Sequence, residues 1–263
     1  MRTKTFISLI LCIGLFFSAC KKDGDSKDNA NSKGFIEFKT SNPMAVAYSP
    51  SQLKSSFANP ALIGDTTTTY TTNLLICIGD VWVSQGEVKA GETDNLEWIK
   101  LTSVTNTSLK LFENYSFNSM EIPAGNYKSV KITFKSVFYR YVQLASNLSV
   151  SYQLLETMSD WTTPCSEAGY SWITNYFGPG GNHSLNSNNQ FKLEASGETI
   201  GGFKIEANKT AVVSWRLFGG STSPCVTYLF DNNKNLEWDC GTDSMDFDCS
   251  GIVNMWDFVV EYI

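Results

Sequence analysis

The chain has one histidine in 263 residues, His183, and that scarcity excludes much of enzyme chemistry. A Ser-His-Asp or Cys-His arrangement would have to use it, and a zinc site built on two or three histidines is excluded. It stands in the run Gly178-Pro179-Gly180-Gly181-Asn182-His183, whose polar, glycine-rich character predicts an exposed loop residue rather than a general base. Positive charge is also short. Twenty Lys and Arg against 26 Asp and Glu leave a net charge of -6. That balance argues against nucleic acid, whose binders carry a basic stripe, and against electrostatic adhesion to anionic lipid headgroups. Beyond residue 17 no apolar run approaches the roughly 20 residues of a membrane-spanning helix. No amphipathic helical pattern appears there either, and no repeat at fixed period.

What is present begins at the amino end. Arg2 and Lys4 precede an apolar run over residues 6–17, and Phe17-Ser18-Ala19-Cys20 closes it with small residues before a cysteine. This is the pattern of a secretion signal ending in a bacterial lipobox. The expectation is cleavage before Cys20, acylation (palmitate) of that residue, and a membrane attachment made by covalent lipid. Residues 20–33 contain no large apolar side chain until the segment ends, so they predict a flexible tether spanning about 20 Å on root-mean-square average. Its acidic stretch behind Cys20 resembles the surface-export signal of Bacteroidota lipoproteins. Residues 34–263 then form one expected domain, with a cysteine-containing C-terminal extension from about residue 221.

In that domain the apolar pattern has period two. Residues 35–40 read as a first strand. Residues 41–72 are rich in Ser, Thr, Asn and Pro and predict a long connection, with a short helical turn near 51–57. Residues 74–84 are apolar on both faces, Leu75, Cys77, Val81 and Val83 on one and Ile76, Ile78 and Trp82 on the other, which marks a central strand. Shorter strands are expected at 96–101 and 109–112. Residues 130–135 alternate, with Val130, Ile132 and Phe134 inward and Lys131, Thr133 and Lys135 outward. Further strands are expected at 148–154, 170–174, 190–194, 202–205, 211–218, 225–230 and 255–263, and a polar loop at 177–189. Many short strands with turn signals between them, and no helical run after the signal, predict an all-β protein, a β-sandwich of transthyretin or immunoglobulin type.

Ile122-Pro123-Ala124-Gly125-Asn126-Tyr127 reads as a turn, with Pro123 presetting its φ and Gly125 free to adopt the left-handed region. In order and spacing, the strands at 34–40, 76–83, 96–101 and 108–111, this turn, and the strands at 202–205 and 210–217 resemble an uncharacterised family of exported bacterial and archaeal β-sandwich domains, often lipoproteins. The resemblance covers roughly residues 34–220 and implies fold and compartment; it brings no catalytic residues. Two features depart from the family pattern: Ser41-Asn42-Pro43 stands where an Asp-Ala-Pro-like turn is usual, and the cysteine-bearing C-terminal segment lies outside it.

Two constellations remain. In the segment 231–239, Asp231, Asn233, Asn235, Glu237 and Asp239 place oxygen-bearing side chains at alternate positions, as a calcium loop does. The glycine expected at the sharp bend is replaced by Leu236, and Thr242 stands where the bidentate glutamate of such loops belongs. A solvated hairpin turn between Tyr228 and Trp238, built from Asn and Asp because they tolerate turn geometry, is the other reading of the same residues. Asp243, Asp246 and Asp248 add carboxylates between the last two cysteines. Cys77 reads as a free buried thiol in a strand. Cys165, Cys225, Cys240 and Cys249 are the disulfide candidates, with Cys165–Cys225 and Cys240–Cys249 the expected pairing because the latter closes a short loop. Of the seven tryptophans, Trp82, Trp98 and Trp215 lie on expected strands and read as core, whereas Trp161, Trp172, Trp238 and Trp256 leave room for an exposed aromatic platform.

These features together predict a lipid-anchored, non-enzymatic binding module of the cell envelope, at the outer membrane or cell surface. The expected partners are the membrane through Cys20 and a protein or glycan ligand, without nucleic acid; no cofactor is expected unless the 231–239 loop takes calcium. A carbohydrate-binding accessory lipoprotein and a fimbrial or adhesin subunit are the alternatives.

Overall fold

The computed structural model describes residues 32–41, 61–103, 115–157, 165–166, 168–197, 199–217, 226–248 and 256–263. Every regular element among them is a strand. In chain order these are β1 (Lys33–Ser41), β2 (Thr66–Ser84), β3 (Ile99–Ser103), β4 (Tyr115–Ser116), β5 (Met120–Pro123), β6 (Gly125–Tyr127), β7 (Ser129–Leu144) and β8 (Asn147–Thr157). Then follow β9 (Trp172–Gly178), β10 (Gly181–Leu185), β11 (Phe191–Ala195), β12 (Phe203–Ile205), β13 (Thr210–Leu217), β14 (Val226–Phe230), β15 (Ser244–Asp248) and β16 (Trp256–Tyr262). The all-β expectation holds.

A five-stranded sheet runs β16-β13-β1, with β4 and β5 both on the other edge of β1. The first strand therefore lies inside the sheet, and it pairs in parallel with β13 from Phe35↔Thr210 to Ser41↔Arg216. A nine-stranded sheet runs β11-β10-β9-β7-β2-β14-β15, with β3 on β2 and β8 on β7. The short ribbon β12-β6 makes a third pairing. The inward residues of the two large sheets meet in one core: Ile36 and Phe38 of β1 and Val213 and Trp215 of β13 pack with Ile76 and Ile78 of β2 and Ile132 and Phe134 of β7. Trp215 is fully buried and stacks on Phe258, with Phe134 and Phe177 also in ring contact. This is the sandwich arrangement, two sheets hiding their apolar faces against each other.

The strands β2 and β7 are longer than the sequence pattern predicts. Residues 66–72, expected as part of a connection, form the first third of β2. Their polarity hid them, because the strand former here is threonine, which is β-branched and suits a pleated surface. Thr67, Thr69 and Thr71 are all buried, and their hydroxyls are satisfied: Thr69 Oγ1 donates to the Thr227 carbonyl at 3.0 Å, and Thr71 and Thr227 hydroxyls pair at 2.8 Å. A second cluster, with Leu62, Val142, Leu154, Leu229 and Trp238, lies at this end of the long strands. Between the two clusters on the inward face of β7 sits Arg140, with Glu156 of β8; both are fully buried. Arg140 Nε and Nη2 donate to the two oxygens of Glu156 at 2.6 and 3.0 Å, and Nη1 donates to Thr71 Oγ1 at 2.9 Å.

Other differences have local causes. The alternation in β7 is as expected, with Val130, Ile132 and Phe134 buried. In β2, however, Ile76, Ile78, Val81 and Val83 all face the core. A register irregularity between Ile78 and Val81 changes the parity of the strand, so Trp82 turns to the outer face and Cys77 is only half-buried. The strand expected at 96–101 begins later, at Ile99, and the one expected at 109–112 lies outside the described residues. The polar loop expected at 177–189 contains β10, paired with both β9 and β11. His183 lies in β10 and is buried, with Nδ1 at 3.0 Å from the Gly181 carbonyl. The turn at 122–127 links β5 to β6. A Cβ on Gly125 would meet Gln85 Nε2 at 2.5 Å, and Tyr127 Oη donates to the Pro123 carbonyl at 2.9 Å while its ring stacks on Phe203.

Candidate functional site

Cys20, the expected lipidation residue, lies outside the described residues. The expected calcium residues do share one turn, between β14 and β15, but the oxygens that hold the turn together accept hydrogen bonds. Asp231, buried, takes the backbone N–H groups of Asn235 and Leu236. Asp239 Oδ2 accepts from the side-chain amides of Asn233 and Asn235 at 2.8 and 2.6 Å. Asn235 Oδ1 accepts from the Glu237 N–H at 2.8 Å. Asp243, also buried, takes the N–H groups of Asn232 and Asp239. Leu236 stands at φ +64° where a glycine was missed, and Lys234 at +60°. Among the described residues no group of three or more His, Cys, Asp or Glu side chains is placed to hold a metal ion.

The expected disulfide pairing is overturned. Cys165 bonds Cys240, with Cα atoms 5.2 Å apart and a sequence separation of 75. Nearness in sequence misled, because Cys240 sits in the connection between β14 and β15 while residue 249 follows the far end of β15. The five residues of β15 span about 17 Å at 3.4 Å per residue, well beyond the roughly 4.4–6.8 Å that a disulfide bridges between Cα atoms. Cys225 and Cys249 lie outside the described residues.

The feature that stands out chemically is the outer face of the nine-stranded sheet, where registry sets cations beside aromatic rings. Trp82 of β2 pairs with Lys100 of β3 on one side and Lys131 of β7 on the other. Lys131 pairs in turn with Tyr176 of β9, and Tyr176 with His183 of β10. Lys131 Nζ lies 4.5 Å from the centre of the Trp82 ring and 4.6 Å from that of Trp98, held between two indoles. Trp98 comes from the segment before β3 and is fixed by its own Nε1, which donates to Asp94 Oδ1 at 3.1 Å. Two steps along, Thr133 and Thr174 hydroxyls meet at 3.3 Å. Next comes Lys135, opposite Trp172 and with Nζ 5.8 Å from the ring centre. Trp172 lies against Gly79, whose Cβ, were there one, would be 3.1 Å from Cζ3. The face thus has a covered end under Trp98 and an open end at Trp172, which is 37% exposed.

Electrostatics follow the covering. Burial lowers the Lys131 amine from its ordinary pKa, with the Asp94 charge opposing in part. Burial, and secondarily Asp94, pushes the Tyr176 phenol up from 10.0 to about 12, and burial raises Tyr127 and Tyr152 as well. The unfolded chain ionises its tyrosines near pH 10. From there to about 12 the folded state holds more protons than the unfolded state, so stability falls as pH rises. Melting temperatures recorded across that window are expected to drop, and Tyr176→Phe is expected to flatten the drop; an unchanged slope in this variant would contradict the assignment.

Sequence reasoning placed Lys131, Thr133 and Lys135 outward but sent Trp82 and Trp98 to the core and left Trp172 undecided. Among the described tryptophans, Trp215 and Trp238 are buried. Comparison with known proteins adds no name to this face: no family model, no curated protein and no solved structure matches the chain.

Proposed function

We propose that the chain is a lipid-anchored, non-catalytic binding module of the bacterial cell envelope, tethered at the outer membrane or cell surface through Cys20. In this reading it presents the outer face of the nine-stranded sheet to its ligand. The observation that carries the reading is that face: lysines and indoles set in register on neighbouring strands, one end open to solvent, mounted on a rigid sandwich. Binding groups on strands are held more firmly than groups on loops. A non-catalytic role is supported by the lone histidine, which lies in a strand with its ring nitrogen on a backbone carbonyl. The anchoring half of the reading rests on the lipobox, and the disulfide suits an oxidising compartment outside the cytosol.

Expression in a bacterial host with a clickable palmitate analogue is expected to label the protein, and mass spectrometry to find acylated Cys20 as its first residue. Cys20→Ala is expected to move the product from the membrane fraction to the soluble one. An unlabelled product, or a different amino terminus, overturns the reading. A fimbrial or adhesin subunit is the second reading, favoured by β16, a C-terminal strand that among the described residues pairs only with β13. A terminal edge strand of this kind is the element exchanged in strand-addition assembly.

A further inference from the structure

The described residues contain eleven lysines, and nine of them have a carboxylate within salt-bridge distance: Lys33, Lys39, Lys89, Lys100, Lys128, Lys192, Lys204, Lys209 and Lys234. The two that lack one among the described residues are Lys131 and Lys135. Both lie on the outward face of β7, and both have their amines over aromatic rings rather than beside acids. In a chain of net charge -6, where carboxylates within salt-bridge distance meet the other described lysines, these two amines have no direct carboxylate partner among the described residues, and Asp94 acts on Lys131 only from farther off. We propose that this strip, from Lys131 through Thr133 and Thr174 to Lys135 and Trp172, binds an acidic polysaccharide. The proposal rests on the reading of the protein as a binding module and names the ligand class of that same face.

Each part of the strip matches one part of such a ligand. The Trp172 indole, packed against Gly79 and 37% exposed, offers apolar ring surface to the C–H face of a sugar ring. The threonine hydroxyls offer both donor and acceptor to sugar hydroxyls. The Lys135 amine supplies charge-assisted hydrogen bonds to a carboxylate or sulfate group, and Lys131, enclosed by Trp82 and Trp98, adds positive charge beneath that end of the strip. Lys131 and Lys135 stand four residues apart on one strand, about 13 Å at 3.3 Å per residue, so a ligand that reaches both is a chain of several sugars. A neutral glycan would leave both amines unused. Nucleic acid fits poorly, because its dense phosphate charge calls for a basic stripe and meets an acidic molecule everywhere else.

The test uses the full acylated chain in detergent, with affinity electrophoresis and titration calorimetry against polygalacturonate, its fully methyl-esterified form, chondroitin sulfate, dextran and a polyglutamate peptide. Binding to one or both acidic polysaccharides is expected, with at least a tenfold loss on the neutral polymers and steep weakening by salt. Trp172→Ala and Lys135→Ala are each expected to weaken binding tenfold or more, with melting temperature close to that of the parent, and Lys135→Arg to retain most of it. Absence of binding to either acidic polysaccharide overturns the proposal. So does equal affinity for neutral polymers, preference for polyglutamate, or indifference to both alanine variants. None of these results bears on acylation at Cys20, so the site assignment and the anchored-module reading fail separately.

Discussion

Glu156→Ala is expected to destabilise the fold by about 3–5 kcal/mol, the usual loss when one partner of a buried ion pair is removed. The reason is the group left behind. Arg140 has no exposure to water, its guanidinium cannot shed its charge, and the rings of Phe138 and Phe247 lie 5.7 and 5.2 Å from its Cζ. Without the two carboxylate oxygens, the bond to Thr71 is the one side-chain hydrogen bond left to it among the described residues. Arg140→Met alone strands the Glu156 carboxylate and is expected to cost a similar amount. The double replacement Arg140→Met with Glu156→Leu removes both charges and fills the same space. It is expected to lie close to the parent or as much as 1–4 kcal/mol above it. Urea denaturation of the three variants decides the matter: single variants within about 1 kcal/mol of the parent would mean that water reaches the pair.

The second large effect belongs to the Cys165–Cys240 bond. Closing a loop of 75 residues removes unfolded-state entropy worth about 4.5 kcal/mol on the chain-entropy relation, and measured losses of native disulfides run about 2–5 kcal/mol. Cys165→Ser is therefore expected to lower stability by that amount, and a thiol reductant to lower the melting temperature of the parent by more than that of the variant. Peptide mapping without reduction reads the linkage directly. It also bears on the remaining two candidates. The ladder between β14 and β15 ends at Val226↔Asp248, and Cys225 and Cys249 are the residues next to that pair in the sequence. A linkage of 225 with 249 is the expected companion in the map; either cysteine found as a free thiol would contradict it.

How far the amino-acid pattern reached differs from element to element. Where hydrophobicity does the sorting, as along β7 from Val130 to Phe134, alternation alone gave strand and faces. It failed at β2 in two ways. Threonine residues carry the buried face from Thr67 to Thr71, and polarity concealed a strand that hydroxyl pairing makes tolerable. Farther on, the irregularity between Ile78 and Val81 reversed which side Trp82 faces, and no local signal announces such a shift except Gly79-Asp80 in an otherwise apolar run. His183 was misplaced for the same reason as the threonines: glycine and asparagine around it look like a loop, yet β10 is locked on both sides by backbone pairing. The candidate face was half legible. Its lysines could be placed outward from the sequence, but the indoles beside them come from strands and segments that only the registry brings together.

The parallel pairing of β1 with β13 has a consequence for biogenesis. Synthesis delivers β1 early and β13 late, so the β13-facing edge of β1 stays unpaired until most of the polypeptide exists. A sheet closed by capturing its own beginning has high contact order, which places folding in the slow, millisecond-to-second regime. Over that interval the bare strand edge invites aggregation. The β1–β13 ladder is thus completed only once the polypeptide has been made through Leu217.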